Sequence, residues 1–358
     1  MKKKLKVTCL TVFLLVLVSV LLTGCFDETI DDDVRVIRVA VSASSGDCTT
    51  LGYKKLAEIL DEKTDGKIRL DVYADAVLGD DRSTVEAVQE NTLDAADSST
   101  PNFAPFMQEF MAFDLPYITS PQYQQNLYNA LDYGPLGDYY RKLCEEKGFH
   151  LFGFFEYGYR NFVTTDREIK SIADMKNLKL RTTNSSVEIA VAQALGAQAM
   201  PMGWSETYTA LAQGTVDGEG NTWTLLNTAH HTEVLKYGIN TKHNYSGKIF
   251  LMSLKLWESL DKETQDLLTE SFFEAVEWQR EIAAEMEVEN EKAMKDAGVS
   301  IYTPTDKEMK QFADATEGVW DDYVGDRIPQ KAVDLIRATQ TDDYVMLGPD
   351  GKPVKEVE

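Results

Sequence analysis

The chain has 358 residues and carries 36 Lys and Arg against 59 Asp and Glu, a formal net charge of −23. That length exceeds the size at which one hydrophobic core usually stops growing, so two domains are expected. So acidic a surface repels nucleic acid and anionic lipid, and any anion site must be built locally from specific cations.

At the N-terminus, Lys2, Lys3, Lys4 and Lys6 precede an apolar run from Leu10 to Leu22, which leads into "LTGC", Leu22 to Cys25. The combination resembles a bacterial lipoprotein signal: residues 1–24 would be removed and Cys25 lipidated. An ordinary secretory peptide ends on an A-x-A-like site instead. The run is short of the roughly 20 apolar residues a spanning helix needs. An uncleaved anchor is the alternative, and either reading puts the body outside the cytoplasm. It would sit lipid-anchored on the outer face of the bacterial cytoplasmic membrane or in the periplasm. Loss of the signal removes four lysines and takes the charge to −27. Residues 25–34 are acidic and aperiodic, as expected of a flexible tether. Beyond Cys9 and Cys25 only Cys48 and Cys144 remain, too few for a disulfide scaffold. One bridge and two free thiols both fit.

The body alternates strand and helix. "VIRVAVSAS" reads as a strand ending in a small polar loop, followed by a helix from about Thr49 to Lys63. "GKIRLDVYA" alternates as a half-buried strand, "STVEAVQEN" is a helix with Ser83 as its expected N-cap, and "TLDAADSST" is a buried strand ending on Asp97, Ser98 and Ser99. Further on, "SIAD" opens a helical turn, "LKLR" is a strand, and a helix runs from about Ser185 to Leu195. "QAMPM" is a short strand, "SETYTALAQG" a helix, and "TVDGEGN" a strand running into a glycine turn. This is α/β grammar and predicts a largely parallel sheet. In such sheets ligands bind beyond the carboxyl ends of strands. Residues 261–297 contain no Gly or Pro. As one helix they would span roughly 50 Å and brace both domains; two helices breaking near Gln279 are the alternative.

Motifs of enzyme chemistry are lacking. There are four histidines, no H-E-x-x-H or paired C-x-x-C, no G-x-S-x-G elbow and no complete P-loop or dinucleotide fingerprint. The expectation is a binding protein, not an enzyme. Two arginines stand apart from the surface lysines. Arg160 lies among aromatics in "FFEYGYRNF", and Arg181 ends the "LKLR" strand. A guanidinium meets a carboxylate with two parallel hydrogen bonds, and Asn221, after "VDGEG", can donate to the same group. A structural ion pair is the alternative for each arginine.

On these residues the chain resembles the solute-binding proteins of tripartite ATP-independent periplasmic (TRAP) transporters. The resemblance runs through "VLGDDRSTVEAVQENTLDAADSS", "FDLPYI", "SIADMKNLKLR", "LGAQAMPMGWSETYTALAQGTVDGEGN" and the long helical stretch. It implies an α/β, two-domain periplasmic-binding-protein-like fold with a long helix bridging both domains. Domain I would comprise 35–158 and 246–280, and domain II 159–245 and 281–345, with the ligand cleft between them. It implies no cofactor and no metal, a small-molecule carboxylate ligand, TRAP permease membrane subunits as partners, and a monomer.

The resemblance also carries site residues. Arg181 matches the family's carboxylate clamp, Arg160 its second arginine after a G-x dipeptide, and Asn221 the asparagine of a VDGQEN-like turn. Glu219 and Gly220 depart from that turn's pattern. Trp204 is the neighbouring aromatic, stacking on the ligand or filling core, and Asn184 would share the rim. The other wall would come from Ser42 and Ser44, Asp80 or Asp81, and Ser98 or Ser99. His243, near the second interdomain crossing, touches ligand or only packs. Hydroxyls and Asp suit a polyol chain, so a sugar acid such as a uronate or aldonate is the first expectation. A four-carbon dicarboxylate is the second, and an extracytoplasmic sensor would use the same cleft.

Overall fold

The computed structural model describes residues 34–354. The signal, Cys25 and the tether up to residue 33 lie outside the described residues.

Two sheets organise the body. The first runs in the spatial order β2 (Ile68–Tyr73), β1 (Arg35–Ala40), β3 (Ala95–Ser99), β10 (Tyr245–Ser253), β4 (Phe149–Tyr159). The second runs β11 (Ser300–Tyr302), β9 (Tyr237–Ile239), β5 (Asn161–Thr164), β8 (Gly218–Asn221), β6 (Lys179–Thr182), β7 (Gln198–Pro201). Both are mixed: β1 with β3, β6 with β7 and β8, and β9 with β11 pair parallel, as expected from sequence. β10 runs antiparallel to both β3 and β4, and β5 antiparallel to both β8 and β9. These are strands that enter a sheet directly after a crossing, and no helical crossover turns them round.

The chain crosses between the sheets at Arg160, which separates β4 from β5, and returns through residues 240–244 into β10. The two crossings are tied together. Arg160 N–H donates to the Asn244 carbonyl at 3.0 Å, and His243 N–H donates to the Arg160 carbonyl at 3.1 Å. The glycines of "VDGEGN" form strand β8 itself and not the turn expected. A Cβ on Gly218 would run into the Val163 carbonyl of the neighbouring strand, so a side chain is excluded there.

Helix α1 (Cys48–Thr64) packs on the first sheet, and Asp47 caps it by accepting from Thr49 N–H at 2.9 Å. Helix α2 (Asp81–Gln89) is capped by Asp80, which accepts from Ser83 N–H at 3.1 Å. Asp80 therefore replaces Ser83 as the cap. Helices α3 (Ser186–Ala194) and α4 (Trp204–Ala212) follow β6 and β7. Cys48 and Cys144 are buried and unpaired.

Helix α5 (Lys262–Asp296) is one unbroken element of 35 residues. Its first half buries Leu268, Phe272 and Val276 with Val39, Phe152 and Phe250 of the first sheet. Its last turns bury Met294 with Val163 and Trp223 beside the second. The single helix expected from sequence is found, without the alternative break near Gln279, whose side-chain amide instead ties α5 to strand β4. That amide accepts from Glu156 N–H at 2.9 Å and donates to the Glu156 carbonyl at 2.8 Å.

Candidate functional site

Strand ends from both sheets converge where the chain crosses. Ser42 follows β1, Ser99 ends β3, Arg181 and Thr183 lie at the end of β6, and Asn221 ends β8. With Arg160 of the crossing and Trp204 at the start of α4, they line a cleft. Asp81, Asn102, Tyr157 and Lys248 complete its wall on the first-sheet side. Trp204, from the second-sheet side, packs against apolar side chains of the first.

The two arginines differ in what they already hold. Arg160 is buried, with Nε 3.2 Å from Glu188 Oε1 and Nη2 donating to the Gly220 carbonyl at 2.5 Å. Glu188 is itself fixed by the N–H and hydroxyl of Thr183, at 3.1 and 2.7 Å. Arg160 is thus a neutralised pair. Arg181 is 2% exposed. Its Nη2 donates to the Met202 carbonyl at 3.0 Å, but its Nε–H has no partner, and no carboxylate of the described residues pairs with it. Burial pushes its pKa down, opposed by Glu219 nearby, yet a guanidinium stays charged in a protein. It is a buried cation with an unused donor, in a residue that lines the cleft.

The carboxylate that might have paired with Arg181 is engaged elsewhere. Glu219 Oε1 lies 2.5 Å from His231 Nδ1, and its Oε2 accepts from Asn221 Nδ2 at 3.3 Å. Burial pushes Glu219 up, but His231 and Arg181 outweigh it and hold the carboxyl low. Glu219 sits behind Asn221 and does not line the cleft. The Trp204 ring stacks on His231 at 4.7 Å, with the Arg181 guanidinium 5.8 Å from its centre.

The facing wall is built on Lys248, an ammonium in the middle of β10. It lies 3.0 Å from Asp97 Oδ2, 3.0 Å from Ser42 Oγ and 3.7 Å from Asp81 Oδ1. Burial alone would lower its pKa, but Asp81 and Asp97 raise it. Asp97 is nonetheless pushed up to about 6 by burial. For Asp81, burial pushes up, but Lys248 and hydrogen bonds outweigh it and hold the carboxyl low.

The cleft thus gathers seven residues singled out from sequence: Arg181, Arg160, Asn221, Trp204, Ser42, Asp81 and Ser99. Six others lie elsewhere. Ser44 lines an adjoining opening with Asp75 and His231. Asp80 caps α2, and Ser98 is buried behind Ser99 with its hydroxyl 3.5 Å from Asp81 Oδ2. Asn184 is exposed on the outer loop, and Glu219 is the partner of His231. His243 lies flat on Phe162, 3.9 Å between ring centres, and burial holds its pKa well below the usual value. It lines a second pocket that shares Arg160 and Arg181 with the cleft.

Sequence reasoning missed Lys248, Asn102, Tyr157 and Thr183. Lys248 had a readable signal, as a lone charge in "YSGKIFLMS", whose residues are all buried. Such a charge needs buried partners.

A family model described as bacterial extracellular solute-binding protein, family 7 (DctP), matches residues 39–326. The chain belongs to this family, the binding proteins of TRAP transporters. It is 31% identical over 303 residues to the 2,3-diketo-L-gulonate-binding periplasmic protein YiaO of Escherichia coli K12, covering 84% of this chain and 90% of that one. It also matches a TRAP periplasmic solute-binding protein of a Bradyrhizobium species, solved with galacturonate, at 30% identity and a TM-score of 0.79, covering 86% and 99% of the two chains. The sugar-acid-binding protein DctPAm of Advenella mimigardefordensis, solved with galactonate, shares the fold at 24% identity and a TM-score of 0.82, covering 87% and 99%. Family members capture small carboxylates and work with a membrane permease, and no described helix is long and apolar enough to cross a membrane.

Proposed function

We propose that this TRAP solute-binding protein captures a sugar acid, a uronate or aldonate, in the cleft between its sheets and delivers it to a TRAP permease. The observation that carries the reading is Arg181: a buried guanidinium whose Nε–H and charge find no carboxylate partner among the described residues. A ligand carboxylate supplies the missing partner with two parallel hydrogen bonds. Arg160, already neutralised by Glu188, contributes donors and shape, and Asn221 a further amide. Trp204 offers a flat apolar face to the carbon chain. Support for the sugar-acid class comes from the polar facing wall and from the names of the relatives above.

In this reading residues 35–158 with 246–280, and 159–245 with 281–345, are two lobes that close over the ligand about the paired crossings at Arg160 and Asn244. Closure both buries the ligand and creates the surface the permease recognises. Residues 1–24 are a signal peptide, Cys25 carries the lipid anchor, and the protein works as a monomer without catalysis or cofactor.

A thermal-shift screen over aldonates, uronates, four-carbon dicarboxylates and keto acids, with neutral sugars and amines as controls, tests it. A ligand that binds only the folded state stabilises it by several kcal/mol when far above its Kd. The expected result is a raised Tm with a sugar acid. A shift with a neutral sugar or an amine and with no acid overturns the reading.

A further inference from the structure

We propose that the first-sheet wall of the cleft, centred on Asp81, selects a ligand whose far end is a neutral hydroxyl and excludes one whose far end is a second carboxylate. The inference rests on Arg181 taking the first carboxylate, and it concerns the opposite end of the same molecule.

The wall's hydrogen bonds are almost closed. Lys248 has three N–H donors, and its neighbours are Asp97 at 3.0 Å, Ser42 at 3.0 Å and Asp81 at 3.7 Å. All three neighbours belong to the wall, and the Lys248 side chain is itself buried. Asp81 is 3% exposed. Its Oδ2 accepts from Asn102 Nδ2 at 2.6 Å and Ser99 N–H at 3.2 Å. Its Oδ1 is different. The Ser42 hydroxyl lies near the carboxyl and helps hold its pKa low, but among the described residues no donor makes a well-aligned hydrogen bond to Oδ1. A buried carboxylate oxygen without a donor is costly, and Asp81 is one of the residues that line the ligand cleft.

Charge counting gives the same answer. Asp81 and Asp97 place two carboxylates against one ammonium, so the wall carries one surplus negative charge. Across the cleft Arg160 is paired with Glu188, and Glu219 is hydrogen-bonded to His231 and Asn221, so Arg181 is the cation of that wall that no carboxylate of the described residues contacts directly. The cleft is therefore polarised from one wall to the other. A hydroxyl at the far end donates to Asp81 Oδ1 in a charge-assisted bond. A carboxylate there has no proton to give and meets a like charge out of water, which is how a site rejects the wrong partner. Asp97, pushed up to about 6 by burial, would ease that clash in acid by taking a proton, so the discrimination is sharpest above neutral pH.

The test compares acids that share a carbon chain and differ only at the far end. Calorimetric titration at pH 8 uses gluconate against glucarate, galactonate against galactarate, and mannonate against mannarate, with succinate added. Wild type should bind at least one aldonate ~100-fold or more tightly than its matched aldarate or succinate, the size expected of a like-charge juxtaposition. In Asp81→Asn, checked for folding by circular dichroism, that ratio should shrink at least tenfold. An aldarate or succinate that binds as tightly as the aldonates, and still needs Arg181, overturns this inference and leaves the carboxylate clamp standing. An unchanged ratio in folded Asp81→Asn removes Asp81 from the discrimination. Failure of every acid to bind sinks the clamp and this inference together.

Discussion

Replacing Arg181 by Met separates a ligand clamp from a structural ion pair, because the two roles predict opposite effects on the empty protein. Arg181 is buried, makes one hydrogen bond to the Met202 carbonyl and leaves Nε–H unused. An apolar side chain of similar length removes a desolvated charge that has no paired carboxylate, so unfolding stability without ligand should be unchanged or higher. With ligand, the variant loses a desolvated charge pair worth about 2–5 kcal/mol, which weakens binding roughly 30- to 5,000-fold. Arg160→Met is the internal control. It strands Glu188, whose carboxylate lies 3.2 Å from Arg160 Nε in the interior, and should cost about 3–5 kcal/mol of stability before any ligand is added. Urea unfolding of the ligand-free proteins and calorimetry with the best acid provide the readings. Unchanged affinity in Arg181→Met, or a loss of stability matching that of Arg160→Met, refutes the assignment.

Asp80 caps α2 and does not line the cleft, so Asp80→Ala should lower stability by about 1 kcal/mol with affinity unchanged; a tenfold weaker ligand would return it to the site. Gln279→Leu leaves the N–H and carbonyl of Glu156 without their partners on α5. It should destabilise by roughly 2–3 kcal/mol in urea unfolding, and a neutral effect would contradict the bracing role given to that amide. Glu156 is pushed up from 4.5 to about 7 by burial, against the hydrogen bonds from Tyr128 and Tyr245. Its folded pKa is the raised one, so the stability tied to its protonation is complete below about pH 4.5 and is lost as pH rises through about 7. Relative to wild type, Glu156→Gln should therefore gain stability across that window, and parallel pH profiles would contradict the shift.

Most of the elements were legible because local patterns agree with the fold: alternation in β2, continuous burial in β3, and an uninterrupted helical run in α5. Strand direction was not. Whether β10 and β5 run parallel or antiparallel depends on which sheet the chain has just left, and side-chain periodicity does not record that. The glycines of β8 read as a turn because their use is tertiary, close approach to the Val163 carbonyl. Ser83 as a cap failed by three positions because the helix starts at Asp81, and Ser83 donates its own N–H to the Asp80 cap.

In the cleft, Arg181, Asn221 and Ser99 were reachable because each stands at the end of a strand, where ligand sites form in such sheets. Lys248 and Asn102 were harder. Each faces the cleft only through partners far away in the chain, Lys248 through Asp97 and Ser42, Asn102 through Asp81. His243, eligible by position, stacks on Phe162 and lines the second pocket with both arginines.

A crystal structure of the chain with a bound aldonate or uronate tests the central claim most directly. The account predicts the ligand carboxylate within about 3 Å of Arg181 Nε, paired bidentately, with the hydroxyl end against Asp81. A carboxylate resting on Lys248, or a ligand bound with Arg181 Nε still unpartnered, would contradict it.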